Sequence, residues 1–327
     1  MSKVQSPKSK VNGKRRETIK MSKKAIIFPG QGSQYPQMGL SLYQNFQEAK
    51  RVFDLVDQIS EIKISEAIFS GDPCQLKDTA IQQLAILAVS LAAYELSKPN
   101  LGDVEFVLGL SLGEYSCLYA GGVLCLEDLI LLVKARGQAM QKAARVNPSS
   151  LLAVIGANRG YLEPKQKDLD FYISNLNSPS QVVISTKEKN KNELKNKLEK
   201  EGLKVIELKV SGGFHSPFME PAREELKKVV ANFEFSNASI PIVSNVTASQ
   251  GIESEEIKKN LLKQLVSPVL WMDSIKYLSK EGITDFYEIG PSKVLKGILR
   301  KIDRNLKVVN IEKKEDIENI NKEGYGF

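Results

Sequence analysis

The chain contains a single histidine, His215, one tryptophan and three cysteines, Cys74, Cys117 and Cys125, in 327 residues. Three cysteines without CxxC spacing supply neither a zinc site nor a disulfide framework, and they suit a reducing cytoplasm. Hydrophobic runs are short. The longest, residues 84–94 inside IQQLAILAVSLAAYEL, falls below the roughly 20 residues a membrane-crossing helix needs and reads as a buried helix. Excess charge of one sign is also missing from the body of the protein. Lys3, Lys8, Lys10, Lys14, Arg15, Arg16 and Lys20, against Glu17, give the first 20 residues +6 of the chain's +7. The remainder is close to neutral, which excludes the clustered basic groove that a nucleic acid requires.

A length of 327 residues with 42% apolar composition is enough for one large core carrying a smaller second unit. Residues 1–20 read as a disordered basic tail ahead of a second methionine, Met21. The tail is either an upstream start, an appended sequence or a short targeting segment. Residues 25–30 (AIIFPG) and 104–109 (VEFVLG) are apolar runs ended by glycine, as buried parallel strands are. Helical periodicity lies between them and resumes over residues 127–144, where Ile130, Val133, Gly137 and Met140 share a face. From Ser150 the order changes to β-α-β-β-α-β, with a turn at Asn177-Ser178-Pro179, which is the ferredoxin-like unit. The reading is α/β: a large parallel-sheet, α/β-hydrolase-like domain (21–147 and 211–315) with an inserted ferredoxin-like small domain (148–210). Residues 316–327 read as a C-terminal tail.

Gly109-Leu110-Ser111-Leu112-Gly113 lies between a strand and a helical pattern, the setting of a nucleophile elbow. Flanking glycines allow the sharp turn that presents the serine while the next backbone N–H faces a developing oxyanion. The bland alternative is a glycine-rich turn with an incidental serine. A serine needs a base, and His215, in Ser211-Gly212-Gly213-Phe214-His215-Ser216-Pro217, is the one imidazole the chain offers. A lone histidine is more often structural, yet this one sits in a loop of two glycines and a proline just past a strand end.

Phe28-Pro29-Gly30-Gln31-Gly32-Ser33-Gln34 is not a phosphate loop. It has no Walker lysine, and Tyr35 occupies the place of the last glycine in GxGxxG. A backbone N–H at Gln31 could serve an oxyanion instead. Arg136 shares a helix face with Leu132 and Met140 and should point inward, either to a substrate carboxylate, to an internal ion pair, or with its head snorkelling to water.

Together these segments resemble the malonyl-CoA:acyl carrier protein transacylases of fatty acid synthesis and the related acyltransferase domains of polyketide synthases. FPGQGSQ, GLSLGEY, RGQAMQ, NSPSQVVIS, SGGFHSP, SNVTA, QLVSPVLW and EIGPSKVL follow the family's order over residues 21–311. The resemblance implies a malonyl transfer from malonyl-CoA to an acyl carrier protein by a ping-pong route. Ser111 would be the acylated nucleophile and His215 its base. Gln264 would orient the histidine through its backbone carbonyl, and Gln31 and Leu112 would supply oxyanion N–H groups. Arg136 would grip the malonyl carboxylate, with Asn177, Phe214 and Met140 at the substrate; Phe214 matches the malonyl-selective pattern. No metal or resident cofactor is implied, nor a membrane or nucleic-acid partner, and the expected state is a cytoplasmic monomer. Leu110 replaces the family's histidine before the nucleophile, and Ser292 replaces a glycine in EIGPG. The rival readings are a polyketide-type acyltransferase using another acyl-CoA, a serine thioesterase or lipase, and a non-catalytic docking module for the carrier protein.

Overall fold

The computed structural model describes residues 23–323; the basic tail and the last four residues lie outside them. The strands in chain order are β1 (Lys23–Phe28), β2 (Phe106–Gly109), β3 (Ser149–Ile155), β4 (Phe171–Ser178), β5 (Gln181–Lys187), β6 (Lys204–Glu207), β7 (Ile242–Val243), β8 (Gln250–Gly251), β9 (Ile283–Ile289) and β10 (Lys307–Ile311). They form a six-stranded sheet of order β10-β9-β1-β2-β7-β8 and a four-stranded sheet of order β4-β5-β3-β6.

The large sheet is parallel except for β8, which pairs antiparallel with β7. Its central strands are buried along nearly their whole length because helices cover both faces. Alternate residues of β1 show this directly: Ile26 and Phe28 enter one core cluster, while Ala25 and Ile27 enter another on the opposite face. The edge strands β8 and β10 carry no strong apolar run and emerge only from the pairing.

The small sheet is antiparallel at every pairing. With the helices Arg159–Leu162 and Lys191–Lys200 interleaved in β-α-β-β-α-β order, it is the ferredoxin-like unit. Asn177 was expected in a turn. It lies instead near the end of β4, because register shifts after Ile173 and Leu176 carry that strand on to Ser178. The same strand is stitched to the large domain: Leu176 donates its N–H to the Val269 carbonyl at 2.9 Å, and the Val269 N–H donates to the Ser174 carbonyl at 2.9 Å.

The apolar run in IQQLAILAVSLAAYEL is the helix Thr79–Ser97, capped by the Asp78 carboxylate, which accepts from the Ala80 and Ile81 N–H groups. With the turn that follows, it is long and apolar enough to cross a membrane, yet 83% of its apolar window is buried inside the protein. It packs on the helix Leu126–Val146 so closely that a Cβ at Gly137 would stand 2.6 Å from the Ala80 Cα. The expected C-terminal tail is corrected in its described part. Residues 314–323 form a helix, anchored by Ile317 and Ile320, which are buried in the main core.

Candidate active site

Strand β2 ends at Gly109 and a helix begins at Gly113, leaving Leu110-Ser111-Leu112 to turn the chain. Ser111 adopts φ +53°, a left-handed conformation that non-glycine residues rarely occupy and that surrounding structure must enforce. The enforcement comes from Asn245. Its Oδ1 accepts the Ser111 N–H at 2.7 Å, and its Nδ2 donates to the Gly109 carbonyl at 2.7 Å. Both glycines are required by close approach: a Cβ at Gly113 would lie 2.2 Å from the Phe28 carbonyl oxygen, and one at Gly109 would lie 1.8 Å from the Gly113 carbonyl carbon.

The backbone N–H groups of Gln31 and Leu112 donate to no acceptor among the described residues. The Gln31 side chain is held separately by the Gln82 amide oxygen, so the loop is placed without use of its main-chain donor. Gln31 shares the cleft wall with Ser111 and Leu112 follows it in the chain, and uncommitted N–H groups are what an oxyanion site requires.

His215 also has a positive φ, +57°. Its loop is seated by Gly213, whose N–H donates to the Ser149 hydroxyl at 2.8 Å; a Cβ on Gly212 would lie 2.7 Å from the Ala144 Cβ. The imidazole Nδ1–H donates to the Gln264 carbonyl at 2.8 Å, leaving the Nε2 lone pair to accept from the Ser111 hydroxyl at 2.6 Å. Burial lowers the imidazole pKa from 6.5 to about 4, helped by the charge of Arg136 and opposed by the Gln264 carbonyl. The ring is therefore neutral at physiological pH and free to take a proton.

The buried Arg136 sits at the crossing of the two long helices. Its Nη1 donates to the Gln83 Oε1 at 2.7 Å, and its Nη2 donates to the Ser111 Oγ and the Gln264 Oε1, each at 3.2 Å. All three acceptors are neutral oxygens, and Nε has no partner. The guanidinium lies over the Tyr115 ring, 4.8 Å from its centroid, and burial lowers its pKa from the ordinary value. A desolvated cation held by neutral groups keeps its charge available for an incoming anion.

Gln31, Ser111, Asn177, Phe214 and His215 share the wall of one cleft of about 200 Å³, between the two sheets. Asn177 is buried with its Oδ1 unpartnered. Gln264 lies behind the cleft, where its main chain holds His215. Met140, fully buried one turn beyond Arg136 on the same helix, is approached by the Gln83 Nε2 at 3.4 Å from its sulfur; like Arg136 it lies behind the cleft wall. Four residues to which sequence reasoning gave no role complete the arrangement: Gln82, Gln83, Glu114 and Asn245. Glu114 is a buried carboxyl pushed up to about 7 by desolvation, while Gln264, Asn245, Arg136 and Ser244 pull it down. Among the described residues no group of three or more His, Cys, Asp or Glu side chains is placed to hold a metal ion.

Comparison with known proteins gives concordant results. The family model described as acyl transferase domain matches residues 25–323. The malonyl CoA-acyl carrier protein transacylase of Bacillus subtilis is 41% identical over 305 residues, covering 91% of this chain and 96% of the relative. The crystal structure of an acyl-carrier-protein S-malonyltransferase from Bartonella henselae superposes with a TM-score of 0.87 at 34% identity, covering 92% of this chain and 98% of that one. A malonyl-transacylase solved in complex with its type II polyketide synthase acyl-carrier protein matches with a TM-score of 0.87 at 28% identity, over 91% and 99% of the two chains.

Proposed function

This chain belongs to the malonyl-CoA:acyl carrier protein transacylases of the acyl transferase domain family, and on that premise we propose that it moves malonyl groups from coenzyme A to an acyl carrier protein through an ester on Ser111. One observation carries the assignment of roles: the Ser111 Oγ lies 2.6 Å from the His215 Nε2 and 3.2 Å from the Arg136 Nη2. Nucleophile, base and anion-binding group thus meet at one oxygen.

Arg136 pairs with the malonyl carboxylate and sets the thioester carbonyl over Ser111. The hydroxyl loses its proton to His215 as its oxygen bonds to the carbonyl carbon. The resulting oxyanion is received by the N–H groups of Gln31 and Leu112, donors worth roughly 3–4 kcal/mol each in such a role. Collapse breaks the carbon–sulfur bond, and the departing coenzyme A sulfur takes the proton from the imidazolium. The phosphopantetheine thiol of the carrier protein then gives its proton to His215 and attacks the ester by the reverse geometry, which is a ping-pong scheme. General-base assistance of about 10²–10⁴-fold is typical of such an imidazole. The Gln264 carbonyl holds the ring as the carboxylate of a Ser-His-Asp triad would. Asn177 and Phe214, which line the same cleft, contact the acyl group.

The coenzyme A thioester is itself the substrate, so the reaction needs no metal or resident cofactor. We place the protein in the cytoplasm as a monomer supplying fatty acid elongation, a setting that suits its free cysteines. Mass spectrometry after exposure to malonyl-CoA tests the reading. The expected result is a malonyl adduct on the peptide containing Ser111, absent in Ser111→Ala, that an acyl carrier protein discharges much faster than buffer. Absence of an adduct on the unaltered protein overturns the proposal, and rapid discharge by water alone makes the protein a hydrolase.

A further inference from the structure

Gln264 serves the site with its main chain and its side chain at once. Its carbonyl holds His215 at 2.8 Å. Its Oε1 accepts from Arg136 at 3.2 Å, and its Nε2 donates to the Ser111 carbonyl at 3.0 Å and to the Glu114 carboxylate at 2.6 Å. An amide can be turned end for end at little cost in shape, so something must choose its orientation. A guanidinium can only donate, and an ionised carboxylate can only accept. With Arg136 on one side and Glu114 on the other, only one orientation satisfies both; the reverse would set donor against donor and acceptor against acceptor.

Glu114 lies three residues beyond the nucleophile in the first turn of the helix Gly113–Ala120. It is 2% exposed, and the carboxylate oxygen that receives Gln264 also accepts the Asn245 N–H at 3.3 Å. Asn245 in turn holds the strained turn at Ser111. A buried carboxylate next to a site whose base is backed by a neutral carbonyl supplies negative charge from one residue further away. It also balances Arg136 without pairing directly with it, which would occupy the guanidinium needed for substrate.

Resting on the reading of Ser111, His215 and Arg136 given above, we propose that Glu114 is a positioning residue for the transfer: its carboxylate orients the Gln264 amide and, through it, Arg136 and the carbonyl that holds His215.

A double-mutant cycle on the full-length protein tests this, reading the rate at which malonyl-CoA acylates Ser111 at about pH 8.5, well above the value of about 7 to which burial pushes the Glu114 carboxyl. Glu114→Gln keeps the shape and removes the charge; Gln264→Ala removes the amide and keeps the main-chain carbonyl. Each single change should slow acylation about tenfold, and the double variant should be no slower than the worse single, as for residues acting through one network. Losses that multiply to about a hundredfold, or a Glu114→Gln protein as fast as the parent, overturn the proposal. Should Glu114→Gln fail to fold, Gln264→Ala decides alone. It should cut the preference for malonyl-CoA over acetyl-CoA about tenfold by releasing Arg136, and an unchanged preference contradicts the relay. An unaltered protein that forms no adduct would instead overturn the function, independently of this inference.

Discussion

The Arg136 Nη2 stands 3.2 Å from the Ser111 Oγ, so the guanidinium proposed to hold the acyl carboxylate and the hydroxyl proposed to attack share a hydrogen bond before substrate arrives. Binding a malonyl carboxylate must exchange part of that contact for a stronger, charged one. Arg136→Ala should therefore lower acylation by malonyl-CoA by about 10²–10³-fold, the range expected for a lost charge-assisted pair. Acetyl-CoA, which lacks the carboxylate, should lose far less. Parallel rate measurements with the two thioesters decide the matter; equal losses would remove carboxylate recognition from Arg136.

The single histidine makes the base directly observable. Its ring proton resonances should titrate with a pKa of about 4 in the free protein and return toward 6.5 on unfolding. Between those values the unfolded chain binds a proton that the native protein does not. The His215 contribution to stability is thus present above about 6.5 and is lost as pH falls toward 4. An NMR titration finding a native value near 6.5 would show that the ring is solvated.

Ser292 adopts φ +74°, a left-handed backbone conformation that favours glycine. Its main-chain carbonyl accepts from the Asn310 Nδ2 at 2.8 Å, a bond that any residue can make. Ser292→Gly should relieve strain, part of the gain being offset by the freer unfolded chain, for a net stabilisation of about 0.5–1 kcal/mol. Urea denaturation would measure it, and destabilisation would mean that the hydroxyl has a role the geometry does not reveal.

Gly137 sets the spacing of the helices that bring Gln83 to Arg136. Gly137→Ala should force them apart at a cost of about 1–3 kcal/mol and lower malonyl preference together with stability. A thermal melt and the two-thioester assay check both; stability lost without any change in preference would separate helix packing from arginine placement.

Much of the fold could be read in advance because apolar runs ended by glycine and one change of rhythm are local signals. The large sheet and the inserted four-stranded unit follow from them. Ser111 and its glycines were visible because the elbow places conformational demands on consecutive residues. His215 stood out because it is the one imidazole in the chain, the usual partner of a serine nucleophile. Gln82, Gln83, Glu114 and Asn245 were not visible as functional residues. They lie on three separate segments of the chain, make their contacts across 51 to 150 positions of sequence, and have no periodicity to mark them. The short edge strands and the helix at the C-terminus carry little apolar signal and are defined by what they pack against.

The exchange of main-chain bonds between Val269 and strand β4 bears on how substrates come and go. Val269 is five residues from Gln264, so swinging the ferredoxin-like unit outward as a rigid flap would tear those two amide links and drag the histidine's support with it. Entry of a pantetheine arm should depend on side-chain rotation at the rim, with the jaws of the cleft remaining at constant width through both half-reactions.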